Sequence, residues 1–211
     1  MGCEDLTSID LSNTNIVNIE GDAFKGCIKL ETIYFPKRVV NISGEAFLDC
    51  LSLNKIYIKN LNIWASMNFD SETSNPLNIS PDSKLYLETA SGYTLVEDLI
   101  ITGDAIDGAK AIININKYTF SGCSSIKTVT IGKASSGSGV QVICNNAFIG
   151  CKNLKSVVIK NSVTYIQDRA FANCEQLDEI TLPDSIESVG IGVFNNTAYY
   201  YDESNWVNIN N

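Results

Sequence analysis

CKNLKSVVIKNSVTYIQDRAFANC, residues 151–174, opens and closes on cysteine, and copies of it account for most of the chain. Alignment on its Ala-Phe pair finds Ala23-Phe24, Ala46-Phe47, Ala147-Phe148 and Ala170-Phe171, with Thr119-Phe120 and Val193-Phe194 as variants. Phe24 and Phe47 are 23 residues apart, as are Phe148 and Phe171 and then Phe171 and Phe194, while Phe120 to Phe148 is 28.

Within the unit, Val157 and Ile159 alternate with Ser156, Val158 and Lys160, which predicts a short strand that turns the first pair inward and the other three outward. A turn at 160–162 sends the chain back, Val163 and Ile166 run along the opposite side, and Ala170, Phe171 and Cys174 fill the end of the coil. Such a coil has two flat faces that only neighbouring coils cover, so it is stable only as a stack. A fixed period of about 20–29 residues marks a leucine-rich-repeat solenoid.

The pattern Leu-x-x-Val/Ile-x-Ile, then Val-x-x-Ile, then Ala-Phe-x-x-Cys resembles the BspA-like leucine-rich repeats, also called the Treponema pallidum type. The family implies a right-handed solenoid with one parallel sheet lining a concave face that serves adhesion or protein binding. It also implies a surface or secreted protein of host-associated bacteria or of some protozoa. Trp64, Asn75-Pro76-Leu77 and Leu85-Tyr86-Leu87 are similar to a characteristic insertion in that family.

A repeat array has one continuous core, so residues 1–211 read as a single domain. Net charge is −9, with no basic stripe, which argues against nucleic acid and anionic membrane as partners. No apolar run approaches the roughly 18–20 residues of a membrane span. Met1-Gly2-Cys3-Glu4-Asp5 has no signal-peptide character, yet Cys3 already sits in repeat register. The chain therefore reads as a fragment of a longer protein, extracellular or cell-surface by resemblance.

Cys3, Cys27, Cys50, Cys123, Cys151 and Cys174 share one repeat position. Stacking places equivalents ~4.8 Å apart, but with parallel Cα–Cβ vectors that disfavour disulfides. Buried free thiols are expected on this ladder, with Cys144 more exposed.

Between Cys50 and Cys123 the register is interrupted by an insertion at 60–95. Leu61, Trp64 and Met67 lie at helical spacing behind Asn60, a capping residue, and Asn75-Pro76 and Ser80-Pro81 mark turns. Leu85-Tyr86-Leu87 reads as one strand of a hairpin turning at Ser91-Gly92 into a second strand that ends in Val96, Leu99 and Ile101 and matches the repeat. About seven rungs result. Extra residues after Leu11, Ile101 and Ile131 all lengthen the edge where the chain leaves its strand, an arrangement that often marks a variable face. The aromatic tail at 199–206 is placed to cover the last coil.

The chain has no histidine and no Cys-x-x-Cys, which removes histidine-based triads and His metal sites. Gly132 to Gly139 has its Gly-Lys first where a phosphate loop needs it last, and Gly103 to Gly108 lacks the alternating ligands of a calcium loop; both read as loops. Asp10, Asp98 and Glu179 face outward but on distant rungs, too far apart for paired-carboxylate glycan chemistry. Neither catalytic residues, metal nor cofactor are expected.

The expected binding surface is the central concave column, Asp10, Tyr34, Tyr57, Ile100, Thr130, Val158 and Thr181, with Thr32 and Lys55 as a polar rim. The functions in view are a non-catalytic protein-binding or adhesion module, a passive spacer in a larger surface protein, and a polysaccharide-active solenoid. The first implies a host or extracellular-matrix protein, or a surface glycan, as partner.

Overall fold

A computed structural model describes residues 3–104, 111–133 and 139–201. The first three coils each pair a strand with a short return strand: β1 (Ser8–Asp10) with β2 (Asn18–Ile19), β3 (Thr32–Tyr34) with β4 (Asn41–Ile42), and β5 (Lys55–Ile58) with β6 (Asn68–Phe69) after helix α1 (Leu61–Ala65). A hairpin follows, β7 (Lys84–Thr89) and β8 (Gly92–Leu95). The array then resumes with β9 (Asp98–Ile101) and β10 (Asn114–Ile115), β11 (Thr128–Ile131) and β12 (Val142–Ile143), β13 (Ser156–Ile159) and β14 (Tyr165–Ile166), and β15 (Glu179–Thr181) and β16 (Ser188–Val189). Helix α2 (Ala198–Tyr201) follows.

Stacking is parallel and in repeat register: Ile9, Ile33, Ile56 and Leu85 are successive partners on one side, as are Leu99, Val129, Val157 and Ile180. The expected solenoid is what forms, but its long-strand face consists of two hydrogen-bonded sheets, β1-β3-β5-β7-β8 and β9-β11-β13-β15. The break lies where β8 pairs antiparallel with β7. The second strand, expected to run from the Ser91-Gly92 turn through Val96 and Leu99 to Ile101, is therefore two, β8 and β9, with Val96 between them.

Residues 151–174 pack as their pattern predicts: Leu154, Val157, Ile159, Val163, Ile166, Ala170, Phe171 and Cys174 are all buried. Phe120, Phe148 and Phe171 stack in series with centroids 5.0 Å apart, and Phe24 stacks on Phe47 at 5.3 Å. The chain rounds this corner through left-handed backbone at the residue before each Cys position: Gly26, Asp49, Gly122, Gly150, Asn173 and Asn196. Gly, Asp and Asn tolerate that conformation best. At Gly122 a Cβ would also clash with Asn78 Oδ1.

The cysteine ladder has a physical reason. Cys50 Sγ donates to Phe24 O at 3.0 Å, Cys151 Sγ to Phe120 O at 3.1 Å and Cys174 Sγ to Phe148 O at 3.2 Å, each on the preceding coil. A small apolar side chain with a weak donor fills the corner and bonds a carbonyl there. The cysteines are free thiols, and those at 27, 50, 123, 151 and 174 are buried. Cys3 departs from expectation and is exposed, because no described coil precedes it; Cys144 is half-buried.

The insertion is built into the core. Asn60 Oδ1 accepts from the N–H groups of Asn62 (2.8 Å) and Ile63 (3.1 Å), starting α1 and turning Trp64 inward. Trp64 is fully buried, lies 5.2 Å from Phe35 and 5.6 Å from Phe69, and donates its Nε1–H to Thr119 O at 2.8 Å. On the return side, Asn41 donates to Asn18 (2.8 Å), Asn68 to Asn41 (2.9 Å) and Asn116 to Asn68 (3.0 Å), an amide row that crosses from the first three coils to the later ones.

Most of the two long loop insertions after Ile101 and Ile131, and Trp206, lie outside the described residues. Of the aromatic tail, Tyr199 is buried, packs 5.7 Å from Phe194 and donates its N–H to Leu177 O at 2.7 Å.

Candidate functional site

The long-strand face of the first sheet carries a cluster of four tyrosines. Parallel register puts Asp10, Tyr34, Tyr57 and Tyr86 in one row. Because side chains two apart share a face, Thr32, Lys55 and Lys84 form the adjoining row. Tyr34 and Tyr57 stack with centroids 4.4 Å apart and planes 8° from parallel, and Tyr86 continues the row at 4.9 Å and 32°.

Tyr93, on the returning strand of the hairpin, lies edge-on across the row, 4.7 Å from Tyr57 and 5.7 Å from Tyr34. The first three rings are half-buried and Tyr93 is exposed. Burial, and then the neighbouring phenols of Tyr34 and Tyr86, push the Tyr57 hydroxyl above its ordinary pKa. Tyr93 is raised by burial first and by Glu88 next. None of the four phenols has a hydrogen-bond partner among the described residues.

The charges around the cluster are unevenly spread. Lys59 lies 4.0 Å from Glu88, and the Ser12 hydroxyl, with the Ser12 N–H that donates to Asp10 at 2.8 Å, holds the Asp10 carboxyl below the usual range. Lys55 and Lys84 are direct cross-strand partners, both exposed, and neither is ion-paired with a described residue.

The sequence-expected column divides here. Tyr34 and Tyr57, with Thr32 and Lys55, belong to the tyrosine face. Ile100, Thr130, Val158 and Thr181 form a separate row on the second sheet. Next to Tyr57 stands Tyr86, where Ile100 was expected, because the insertion contributes its own parallel strand before the repeat resumes at β9. Ile100 is 62% exposed beside Thr130, with Val158 one strand further along the row. Tyr86 was legible only as part of a strand, and Tyr93 carried no signal, since its position depends on how the hairpin folds back.

Asp98 and Glu179 are separated by the two strands of Thr128 and Ser156, roughly 14 Å at ~4.8 Å per step. Asp10 lies on the other sheet. Among the described residues no three Cys, Asp or Glu side chains gather as a metal site, and no helix is long and apolar enough to cross a membrane.

A BspA-type leucine-rich-repeat region matches residues 1–90 and 104–202 in six copies. The chain belongs to the BspA-type leucine-rich-repeat family. No curated protein matches the sequence. Among solved structures, the Treponema pallidum leucine-rich-repeat protein shares 19% identity over 94% of this chain and 79% of its own, with a TM-score of 0.41. A leucine-rich cell-surface protein of Faecalibacterium prausnitzii shares 22% identity over 97% of this chain and 62% of its own, TM-score 0.37. The pneumococcal vaccine antigen PcpA shares 17% over 92% of this chain and 60% of its own, TM-score 0.40.

Proposed function

We propose that this chain is a non-catalytic protein-binding module, part of a surface or secreted adhesion protein, that docks its partner on the face of Tyr34, Tyr57, Tyr86 and Tyr93. The observation that carries this reading is four converging rings held by one another, with phenols that no described residue bonds. Tyrosine offers large amphipathic area at low entropic cost and is frequent at interface hot spots. Here mutual stacking restricts the rings before any partner arrives, which lowers the ordering cost of binding. The family supports a protein as partner, a host or extracellular-matrix protein in the first instance.

Biolayer interferometry of the folded chain against a panel of immobilised extracellular-matrix proteins tests the proposal. Tyr34→Ala with Tyr57→Ala should weaken binding to a responding panel member by about 2 kcal/mol, roughly 30-fold, with Thr181→Ala unchanged. An unchanged double variant that is folded by circular dichroism refutes the tyrosine face, and a panel with no responder favours a spacer role.

A further inference from the structure

The tyrosine face carries a chemical preference as well as a shape. Its rings turn their faces toward one another, 4.4 Å apart and 8° from parallel at Tyr34 and Tyr57, so a partner meets mostly edges and hydroxyls. An aromatic face is the negative part of the ring quadrupole and the edge the positive part. Sugars stack on faces, which this row has turned inward; anions are drawn to edges and to O–H donors.

The adjoining row points the same way. Lys55 and Lys84 sit directly opposite each other on β5 and β7, exposed and without an ion-pair partner among the described residues. Like charges placed opposite across strands destabilise the pairing. In a chain of net charge −9 this is a local reversal of sign beside the phenols. Each lysine precedes its tyrosine by two residues, about 6.6 Å along the strand, so one carboxylate can contact both an ammonium and a phenol. Of the nearby acids, Asp10 ends the tyrosine row and is held by Ser12, Glu88 lies two residues past Tyr86 and is matched by Lys59, and Glu31 and Asp82 stand one and two residues before Thr32 and Lys84.

Resting on the protein-binding reading above, we infer that this face takes an acidic peptide segment whose Asp or Glu side chains seat between the phenols of Tyr57 and Tyr86 and the Lys55–Lys84 pair. β8 already occupies the free edge of β7, so the segment crosses the face instead of adding a strand. From Tyr34 to Tyr86 is two rung steps, about 10 Å, which three or four extended residues span.

The test is selection of a random dodecapeptide display library on the folded chain, followed by anisotropy titration of the enriched peptides against wild type, Lys55→Gln/Lys84→Gln and Tyr34→Ala/Tyr57→Ala. The expected pool is enriched in Asp and Glu, and its affinity falls about tenfold in the lysine double variant, falls in the tyrosine double variant, and falls again as salt is raised. A pool without acidic enrichment that loses affinity only in the tyrosine variant overturns the acidic assignment and leaves the face standing. A pool indifferent to both variants overturns both. A library that yields no binder, while a heparin decasaccharide binds in a lysine-dependent way, overturns the peptide in favour of an anionic glycan; no binder and no heparin binding overturns the inference outright.

Discussion

Replacing Trp64 by Ala should do more than lower stability: it should uncouple the two halves of the array. The indole is fully buried, so its removal leaves a cavity costing about 3–5 kcal/mol. Thr119 O also loses its 2.8 Å donor, worth about 1 kcal/mol, and the Asn75 amide at 3.4 Å is too distant to replace it fully. A total near 5 kcal/mol is a large share of a typical domain's 5–15 kcal/mol. The position matters as much as the size, because Trp64 joins the aromatic contacts of the early coils, through Phe35 and Phe69, to the corner after β10 in the first of the later ones. In an array stabilised by nearest-neighbour terms, weakening one interface splits the transition. Urea unfolding followed by far-ultraviolet circular dichroism should show two steps, or one broadened step of reduced slope. Trp64→Phe, which keeps most of the ring but not the N–H, should cost about 2–3 kcal/mol. A single sharp transition with less than about 1 kcal/mol lost in Trp64→Ala would refute the seam role.

Thiol titration of the native protein should label Cys3 quickly and Cys144 slowly, with the five buried thiols appearing only on unfolding, for seven in all without reductant; fewer than seven would mean disulfides. Burial pushes Cys50 up to about 11 from 9.0, so the folded state holds its proton more tightly than the unfolded one. That contribution is intact below about pH 9 and is lost as pH rises through about 11, roughly 2–3 kcal/mol for this residue. Urea midpoints compared at pH 8 and pH 10.5 under reductant should show the loss, and equal midpoints would contradict it. Arg169 occupies left-handed backbone at φ 55°, where Asn146 stands one coil earlier. Arg169→Gly should therefore raise stability by about 0.5–1 kcal/mol, read as an increased urea midpoint.

The repeat was legible because its signal is redundant: Phe, Ala and Cys recur together, so the stacking register followed from any of them. The sequence carries a further repeat signal. The residue before each Cys position, Gly26, Asp49, Gly122, Gly150, Asn173 or Asn196, is a left-handed former, and reading Ala-Phe-x-x-Cys as two free positions concealed it. The candidate site was half legible. Tyr34 and Tyr57 lie one period apart, whereas Tyr86 lies inside an insertion that resets the count, and Tyr93 reaches the same place through an antiparallel return that no periodicity encodes. Cys3 was misjudged because a repeat position fixes which way a side chain points, while its burial depends on the neighbouring coil.

The thiol contacts give the array a polarity. Those of Cys50, Cys151 and Cys174 run from one coil back to the Phe carbonyl of the coil before it, donor and acceptor one unit apart and in the same order, while Cys123 Sγ meets Ser125 Oγ at 3.4 Å. A regular coil of this kind, duplicated or deleted in frame, leaves its neighbour's thiol facing a Phe carbonyl as before. Thr197 departs from this scheme. It stands at the cysteine position of the last described coil, and its Oγ1 turns back to Phe194 O of its own coil at 2.7 Å, the carbonyl that a following thiol would otherwise engage. Where Cys50, Cys151 and Cys174 lean on the coil before them, the threonine at this position satisfies a carbonyl of its own coil.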